Sequence, residues 1–271
     1  MSITGTWENS YGSKMVLHQW SDGWVTGKYS STTGSTGVYY VVGVVDLNDP
    51  TSKKGQSVAL SIYWRSIMGG QGDPSWHWIS GLAGQLYPDP DTNTPTLSLI
   101  HALVSTEPFP AAGAGLGTFM DKLIYTPATG KTDLTAPGEL PKFDEKAAAD
   151  TADPAKGIWV CQEDSSIKMN IENIDPDHGY VSGVIILSGQ SYDIWGFTDI
   201  HAAADRLDFQ SLTLSIGIPD GAAHNCLSLA GSIDYFHDNV LTLTSMIGRG
   251  TASNSTYLQT TLSQMTFEKQ S

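Results

Sequence analysis

Cysteine is scarce in this chain of 271 residues, which contains only Cys161 and Cys226. Two cysteines cannot form the disulfide framework of a small secreted domain, so a hydrophobic core must hold the fold together. Both cysteines fall in predicted strands, and we expect both to be reduced. The expected location is therefore the cytoplasm, or the exterior of the cell if a leader has been removed.

Positively charged residues are also few, and long apolar runs are absent. The chain has 14 Lys and Arg against 28 Asp and Glu, a formal net charge of -14. Nucleic acid and anionic membranes would repel such a chain, so neither is an expected partner. No run of about 18 apolar residues is present to span a bilayer. A phosphate-binding glycine loop, a nucleophile elbow and a Cys/His cluster at metal-ligand spacing are absent too, so no metal and no cofactor is expected.

The residues that are abundant favour an all-β fold. The chain has 28 glycines, many Thr and Ser, and short Val/Ile/Tyr/Trp runs bounded by turn residues. The dipeptide Asp22-Gly23 is a typical hairpin turn. The predicted strands of the first half are 5–10, 14–19, 24–30, 38–45, 57–64, 75–86, 96–104 and 119–126. Those of the second half are 157–163, 167–172, 180–187, 192–199, 210–218, 225–234, 240–247 and 257–269.

Each half thus supplies about eight strands, which suits a closed antiparallel up-and-down barrel. Between them, a segment rich in Pro, Ala, Asp, Lys and Glu lacks a strand pattern and predicts a linker, with a short helix at Glu145–Asp150. The predicted organisation is barrel 1 over 1–126, linker over 127–155 and barrel 2 over 156–271. Motifs recur between the halves, which indicates a tandem duplication: Gly5-Thr6-Trp7 with Gly157-Ile158-Trp159, Thr26-Gly27 with Ser182-Gly183, and Ser80-Gly81 with Ala230-Gly231.

Polar side chains at the start of the chain form a candidate ligand site. Residues two apart in a strand share a face, so Asn9 lies with Tyr11, and Tyr29 with Ser31, while Ser13 follows the turn. Asn, Ser and Tyr side chains that converge on one carbonyl oxygen would form a neutral cradle for it. The alternative is that Asn9 and Ser13 satisfy backbone groups at a strand end and that Tyr29 packs in the core.

Indole side chains form the second element of this site. Trp76 and Trp78 flank His77, so the two indoles point one way and the imidazole the other. Together with Trp64 they could wall a pocket for a flat ligand. The alternative is an ordinary hydrophobic core.

These motifs resemble those of avidin and streptavidin over almost the whole first half, from Gly5-Thr6-Trp7 through the segment Thr26-Gly27-Lys28-Tyr29-Ser30-Ser31. The resemblance implies a calycin-type barrel in which Asn9, Ser13 and Tyr29 hold the ureido oxygen of biotin and Ser31 accepts a ureido N–H. It also implies that Trp64 and Trp78 line the hydrocarbon pocket and that Trp7 is a core residue of the barrel floor.

Four positions of the first half depart from the family pattern. His101 stands in place of a pocket Trp, Ile124 aligns with the family's acidic partner, and Leu116 aligns with a Trp lent by a neighbouring subunit. Trp76 replaces a small hydroxyl residue, where an indole could fill part of the pocket. The predicted ligand-binding residues are Asn9, Tyr11, Ser13, Tyr29, Ser31, Trp64, Trp76, Trp78, His101 and Leu103.

The second half departs further, and we expect its pocket to be apolar or filled. Ser165 is the only residue of the family's polar set that is retained. Tyr257 takes the place of the subunit-bridging Trp, where it could cover the first pocket. The replaced positions are Cys161 for the Asn, Ile185 for the Tyr, Leu187 for the second Ser, Leu229 for a wall Trp and Met265 for the acid. We expect this half to act as a pseudo-subunit, and two chains to form a homodimer that imitates a tetramer of barrels.

Three function hypotheses follow. The first is non-catalytic binding of a small molecule, biotin or a carbonyl-bearing analogue, in barrel 1. The second is a cofactor-independent isomerase, cyclase or decarboxylase with His101 as general base and Tyr29 in the cradle, although the motif around His101 supplies no acidic residue to orient it. The third is a carbohydrate-binding or defence protein that uses loops and exposed aromatic side chains such as Trp20, Trp24, Tyr39 and Tyr40.

Overall fold

The computed structural model describes residues 1–32, 36–67, 76–108, 116–130, 134–135, 152–220, 223–237, 240–251 and 260–270. The described residues form sixteen strands and no helix. Strands β1 to β8 close into one antiparallel barrel in sequence order, with β1 paired to both β2 and β8. Their bounds are Gly5–Asn9, Lys14–Gln19, Trp24–Ser31, Gly37–Val45, Gln56–Tyr63, Trp78–Pro88, Pro95–Ser105 and Gly117–Pro127.

Strands β9 to β16 close into a second barrel of the same topology, with β9 paired to both β10 and β16. The prediction of an all-β protein with two eight-stranded barrels is confirmed. The bounds of these strands are Gly157–Cys161, Lys168–Ile174, Tyr180–Leu187, Gln190–Thr198, Phe209–Asp220, Ala223–Asp234, Val240–Gly248 and Thr260–Lys269.

Most of the predicted linker lies outside the described residues, and so does the predicted helix at Glu145–Asp150. The boundaries at residues 126 and 156 therefore stay predictions. Among the residues that are described, no helix is long and apolar enough to cross a membrane.

The first strand of each barrel buries a tryptophan in the same way. Trp7 is 3% exposed and donates its indole N–H to the carbonyl of Ile3 at 2.7 Å. Trp159 is fully buried and donates to the carbonyl of Ala155 at 2.8 Å, also four residues earlier. A large apolar ring with a satisfied polar edge is well suited to a barrel floor. The shared contact supports the duplication that the sequence motifs indicated.

A pair of equivalent glycines lies where neighbouring strands approach closely. A Cβ at Gly27 would collide with the carbonyl oxygen of Val16, and one at Gly183 with that of Asn170. Both glycines belong to the third strand of their barrel and face the second strand. The recurrence of these glycines in the two halves therefore follows from packing of the backbone.

The two barrels pack face to face through β4, β5 and β6 of the first and β12 to β15 of the second. Strand β5 is buried at every position, because one face lies in its own barrel and the other against the second barrel. Its outer face carries the small residues Ser57, Ala59 and Ser61, which let the sheets approach. Ser61 Oγ lies 2.9 Å from Ser215 Oγ across the seam, and Ser57 Oγ donates to the carbonyl of Gly248 at 2.5 Å.

A buried ion pair also joins the barrels. His77 lies just before β6, and its imidazole Nδ1 is 2.5 Å from Asp199 Oδ2 of the second barrel. The two side chains are 3% and 0% exposed. The other carboxylate oxygen, Oδ1, accepts hydrogen bonds from the Tyr63 hydroxyl at 2.8 Å and from the backbone N–H of His201 at 3.0 Å. Burial alone lowers the pKa of His77, but the hydrogen bond and charge of Asp199 outweigh it and leave the pKa raised.

Candidate functional site

A cavity of about 630 Å³ lies at the end of the first barrel where β1, β3, β5 and β7 finish. Ligand pockets of proteins commonly fall between about 300 and 1,000 Å³. Nine of the ten predicted ligand-binding residues line it: Asn9, Tyr11, Ser13, Tyr29, Ser31, Trp64, Trp78, His101 and Leu103. The chain folds so that strand ends far apart in sequence meet around one space.

Asn9 shapes the polar edge of the cavity and also closes a turn. Its side-chain Oδ1 accepts the backbone N–H groups of Tyr11 and Ser13, each at 3.1 Å. The alternative role that the sequence allowed, satisfaction of backbone groups at a strand end, is thus present. Since its carbonyl end is occupied, the amide N–H₂ is the end left for a ligand acceptor. Asn9 and Ser13 are 7% and 2% exposed, so both are held rigidly.

Tyr29 and Ser31 project from the inner face of β3, as their spacing predicted, and are 6% and 3% exposed. The Tyr29 ring meets the Trp64 indole edge to face, with 5.5 Å between the ring centres. On β8, Tyr125 is fully buried and pairs in register with Asn9. Burial, followed by the neighbouring Tyr29, raises the pKa of Tyr125 well above its ordinary value. The Tyr125 phenol therefore stays neutral beside the polar edge.

The aromatic wall is formed by Trp64 and Trp78, which are 6% and 3% exposed. Trp76 does not line the cavity. Its indole is half-buried and stacks on that of Trp78, with 4.9 Å between ring centres and 11° between the planes. Filling of the pocket by the Trp76 indole, which the sequence allowed, is therefore not observed.

His101 lies on the cavity wall within a chain of polar contacts. The Trp64 indole N–H donates to Ser80 Oγ at 2.8 Å, and Ser80 Oγ lies 2.7 Å from His101 Nε2. Burial lowers the pKa of His101 to about 4, an effect that the charge of Asp121 opposes. The imidazole is therefore neutral near pH 7, and it is a weak base there because a general base works best with a pKa near the operating pH.

Strand β8 contributes cavity residues that the sequence analysis missed: Phe119, Met120, Asp121 and Leu123. Asp121 pairs in register with His101, so an acidic residue does lie opposite the imidazole. The alternation of Leu123 and Tyr125 on the inner face of β8 could have revealed Asp121 two residues earlier. Ile124, which was aligned with the family's acidic position, is instead 47% exposed on the outer face. The inner residue beside Asn9 is Tyr125.

The premise of the carbohydrate hypothesis is contradicted for Tyr39, which is fully buried and packs against Trp64 with 4.9 Å between ring centres. Trp20, Trp24 and Tyr40 are half-buried. Trp20 donates its indole N–H to Thr26 Oγ1 at 3.0 Å, and the other two rings pack on side chains of the second barrel. These contacts stabilise the fold, and none of the four rings is fully exposed.

Comparison with known protein families gives a match within the first barrel. The family model described as the Avidin family matches residues 1–107. This match and the two closed eight-stranded barrels fit a tandem avidin-like duplication. The match ends within the first barrel, and the second barrel repeats its closed eight-stranded topology. No curated protein matches the chain in sequence.

The second barrel holds apolar side chains where the first holds its polar edge. Cys161, which pairs with Phe267 as Asn9 pairs with Tyr125, is 2% exposed. Ser165 is exposed, so the one retained polar residue faces solvent. Ile185 and Leu229 are fully buried in the core, and Leu187 and Met265 are half-buried against it. Tyr257, the predicted cover of the first pocket, lies outside the described residues.

Proposed function

We propose that the first barrel binds a small molecule with a carbonyl-bearing head and does not transform it, and that biotin is the first candidate ligand. The observation that carries this proposal is the convergence of Asn9, Ser13 and Tyr29 on one edge of a cavity walled by indoles. These groups supply neutral hydrogen-bond donors, and no Lys or Arg is among the described residues that line the cavity. Such donors suit the oxygen of an amide or urea, which is polar but uncharged.

The proposed arrangement places the carbonyl oxygen against the amide N–H₂ of Asn9 and the hydroxyls of Ser13 and Tyr29. Ser31 would accept an N–H of the same head group, and Trp64 and Trp78 would contact its apolar part. Because these side chains are nearly buried before any ligand enters, little side-chain entropy remains to be lost on binding. No cofactor and no metal takes part in this proposal.

Isothermal titration calorimetry with biotin tests the proposal. Tyr29→Phe removes one donor and should weaken binding about 3- to 10-fold, the usual effect of one neutral hydrogen bond. Tyr192→Phe is the matched control, because Tyr192 belongs to the second barrel and its hydroxyl donates to Gln190. It should leave the affinity unchanged. An unaltered affinity in Tyr29→Phe would exclude the cradle.

The absence of heat and of a thermal shift at about millimolar biotin would exclude biotin as the ligand, because a dissociation constant near 1 mM already corresponds to only about 4 kcal/mol. Native mass spectrometry of freshly purified protein would then identify a copurified carbonyl compound. A reaction based on His101 is disfavoured by its low pKa and by its contact with Ser80. Turnover lost in His101→Ala would reinstate the enzymatic hypothesis.

We further propose that two chains associate as a homodimer, which would bring four barrels together. The outer face of β8 and the residue before it leave Leu116, Met120 and Ile124 exposed at 53%, 45% and 47%. Neighbouring exposed apolar side chains are typical of interaction surfaces. Light scattering should give twice the mass of one chain, and Ile124→Lys should shift it to the monomer. A monomeric wild type would refute this assembly.

A further inference from the structure

Asp121 is the only charged side chain among the residues described as lining the cavity. It projects from the inner face of β8, and the Tyr11 hydroxyl donates to its Oδ2 at 3.5 Å. Its Oδ1 accepts the backbone N–H of Lys122 at 2.7 Å, which fixes the carboxylate further. The Lys122 side chain belongs to the opposite, outer face of the strand. The carboxylate therefore faces the cavity without a cationic partner among the lining residues.

Three segments of the sequence that lie outside the described residues contain no cation either. Residues 33–35, 68–75 and 109–115 contain no Lys, Arg or His, and one of them, Asp73, is acidic. The whole chain carries a formal charge of -14. The Asp121 carboxylate in the cavity lining and the negative net charge of the chain therefore both disfavour an anion in the cavity and favour a cation.

Asp121 is separated from the polar edge by a distance that a ligand tail can span. Tyr125, which pairs with Asn9, and Asp121 are four residues apart on β8, which is about 13 Å along the strand. Leu123 lies between them and is 7% exposed. A ligand whose head occupies the cradle would thus pass an apolar stretch and then meet the carboxylate.

We propose that Asp121 makes this site selective for the charge of the ligand tail, so that ligands with an amine-bearing or neutral tail bind and those with a carboxylate tail are disfavoured. This inference rests on the proposed carbonyl-binding function. Biotin itself has a carboxylate tail, so its amides are the better-matched ligands. Because Asp121 is exposed, its charge contributes modestly: each unit of ligand charge changes the affinity roughly 2- to 5-fold at low salt.

The test uses three probes with the same head group: biotin, its neutral primary amide, and its 2-aminoethyl amide. The last is the amide formed with ethylenediamine, and it ends in an ammonium group. Dissociation constants are measured by calorimetry at about 10 mM and about 0.3 M salt, where screening is weak and strong respectively. At low salt the aminoethyl amide should bind about 4- to 25-fold more tightly than biotin, since the two differ by two units of charge, with the neutral amide between them. The differences should shrink at high salt.

Asp121→Asn should reduce these differences to within about twofold, and Asp121→Lys should reverse their order. Asp177→Asn is the matched control, because Asp177 is an exposed residue of the second barrel and its loss changes the net charge equally. It should keep the wild-type order. Equal binding of the three probes by the wild type, or the same order in Asp121→Asn, would overturn the proposal while leaving the carbonyl-binding function intact. Failure of all three probes to bind would exclude the biotin head group, and with it this proposal, while the search for another carbonyl-bearing ligand would continue.

Discussion

The ion pair between His77 and Asp199 gives the sharpest test of how the two barrels are held together. His77→Ala removes the partner of a carboxylate that is fully buried. Loss of one member of a buried pair usually costs about 3–5 kcal/mol, because the remaining charge is left without compensation. Here Tyr63 and the backbone of His201 still donate to Asp199 Oδ1, so the lower value, about 3 kcal/mol, is expected. At about 2–4 °C per kcal/mol, the melting temperature should fall by about 6–12 °C.

The chain contains a matched control on its surface. His237 Nδ1 lies 2.7 Å from Asp234 Oδ2, but its side chain is 80% exposed. An exposed pair of this kind contributes at most about 1 kcal/mol, so His237→Ala should change the melting temperature little. Differential scanning calorimetry of both variants compares the two pairs directly. Equal losses in His77→Ala and His237→Ala would refute the assigned role of the buried pair.

The pH dependence of the same variants gives a second readout. Because the folded-state pKa of His77 is raised above 6.5, its contribution to stability is complete below about pH 6.5 and is lost as the pH rises through the folded-state value. The gap in melting temperature between wild type and His77→Ala should therefore narrow at alkaline pH. A gap that is constant across the range would show that charge on His77 is not involved.

Three other outcomes follow from single residues. The pKa of His101 is lowered to about 4, so the unfolded chain takes up a proton before the folded one, and the free energy of unfolding should fall as the pH falls from 6.5 toward 4. In urea titrations, His101→Phe should lack this part of the pH dependence. Burial raises the pKa of the Cys226 thiol to about 12, so iodoacetamide should label Cys226 only in denatured protein, as peptide mass mapping would show. Asn9→Ala leaves the backbone N–H groups of Tyr11 and Ser13 without their acceptor and should cost about 1–3 kcal/mol in urea unfolding. An unchanged unfolding curve for His101→Phe, native labelling of Cys226, or wild-type stability of Asn9→Ala would each contradict its prediction.

The site was predictable where local spacing decides orientation. Asn9, Tyr29 and Ser31 could be assigned to one face because strand side chains alternate, and the assignment needed no knowledge of distant partners. Asp121 was missed because its importance depends on the register between β7 and β8, which sets it opposite His101. Ile124, which was aligned with an acidic position, lies on the outer face of β8. A shift of one residue turns a side chain from the inside of a barrel to the outside.

By itself, the sequence determined the strand pattern, the duplication and the polar edge, since turn residues and the two-residue period are local properties of the chain. Only the tertiary structure decided which outer faces are covered. Strand β5 is buried throughout, and Tyr39 and His77 are enclosed, because a second barrel and the closure of the first bring residues together that lie far apart in sequence. Burial of that kind depends on long-range packing, which produces no periodic pattern in the sequence from which it could be predicted.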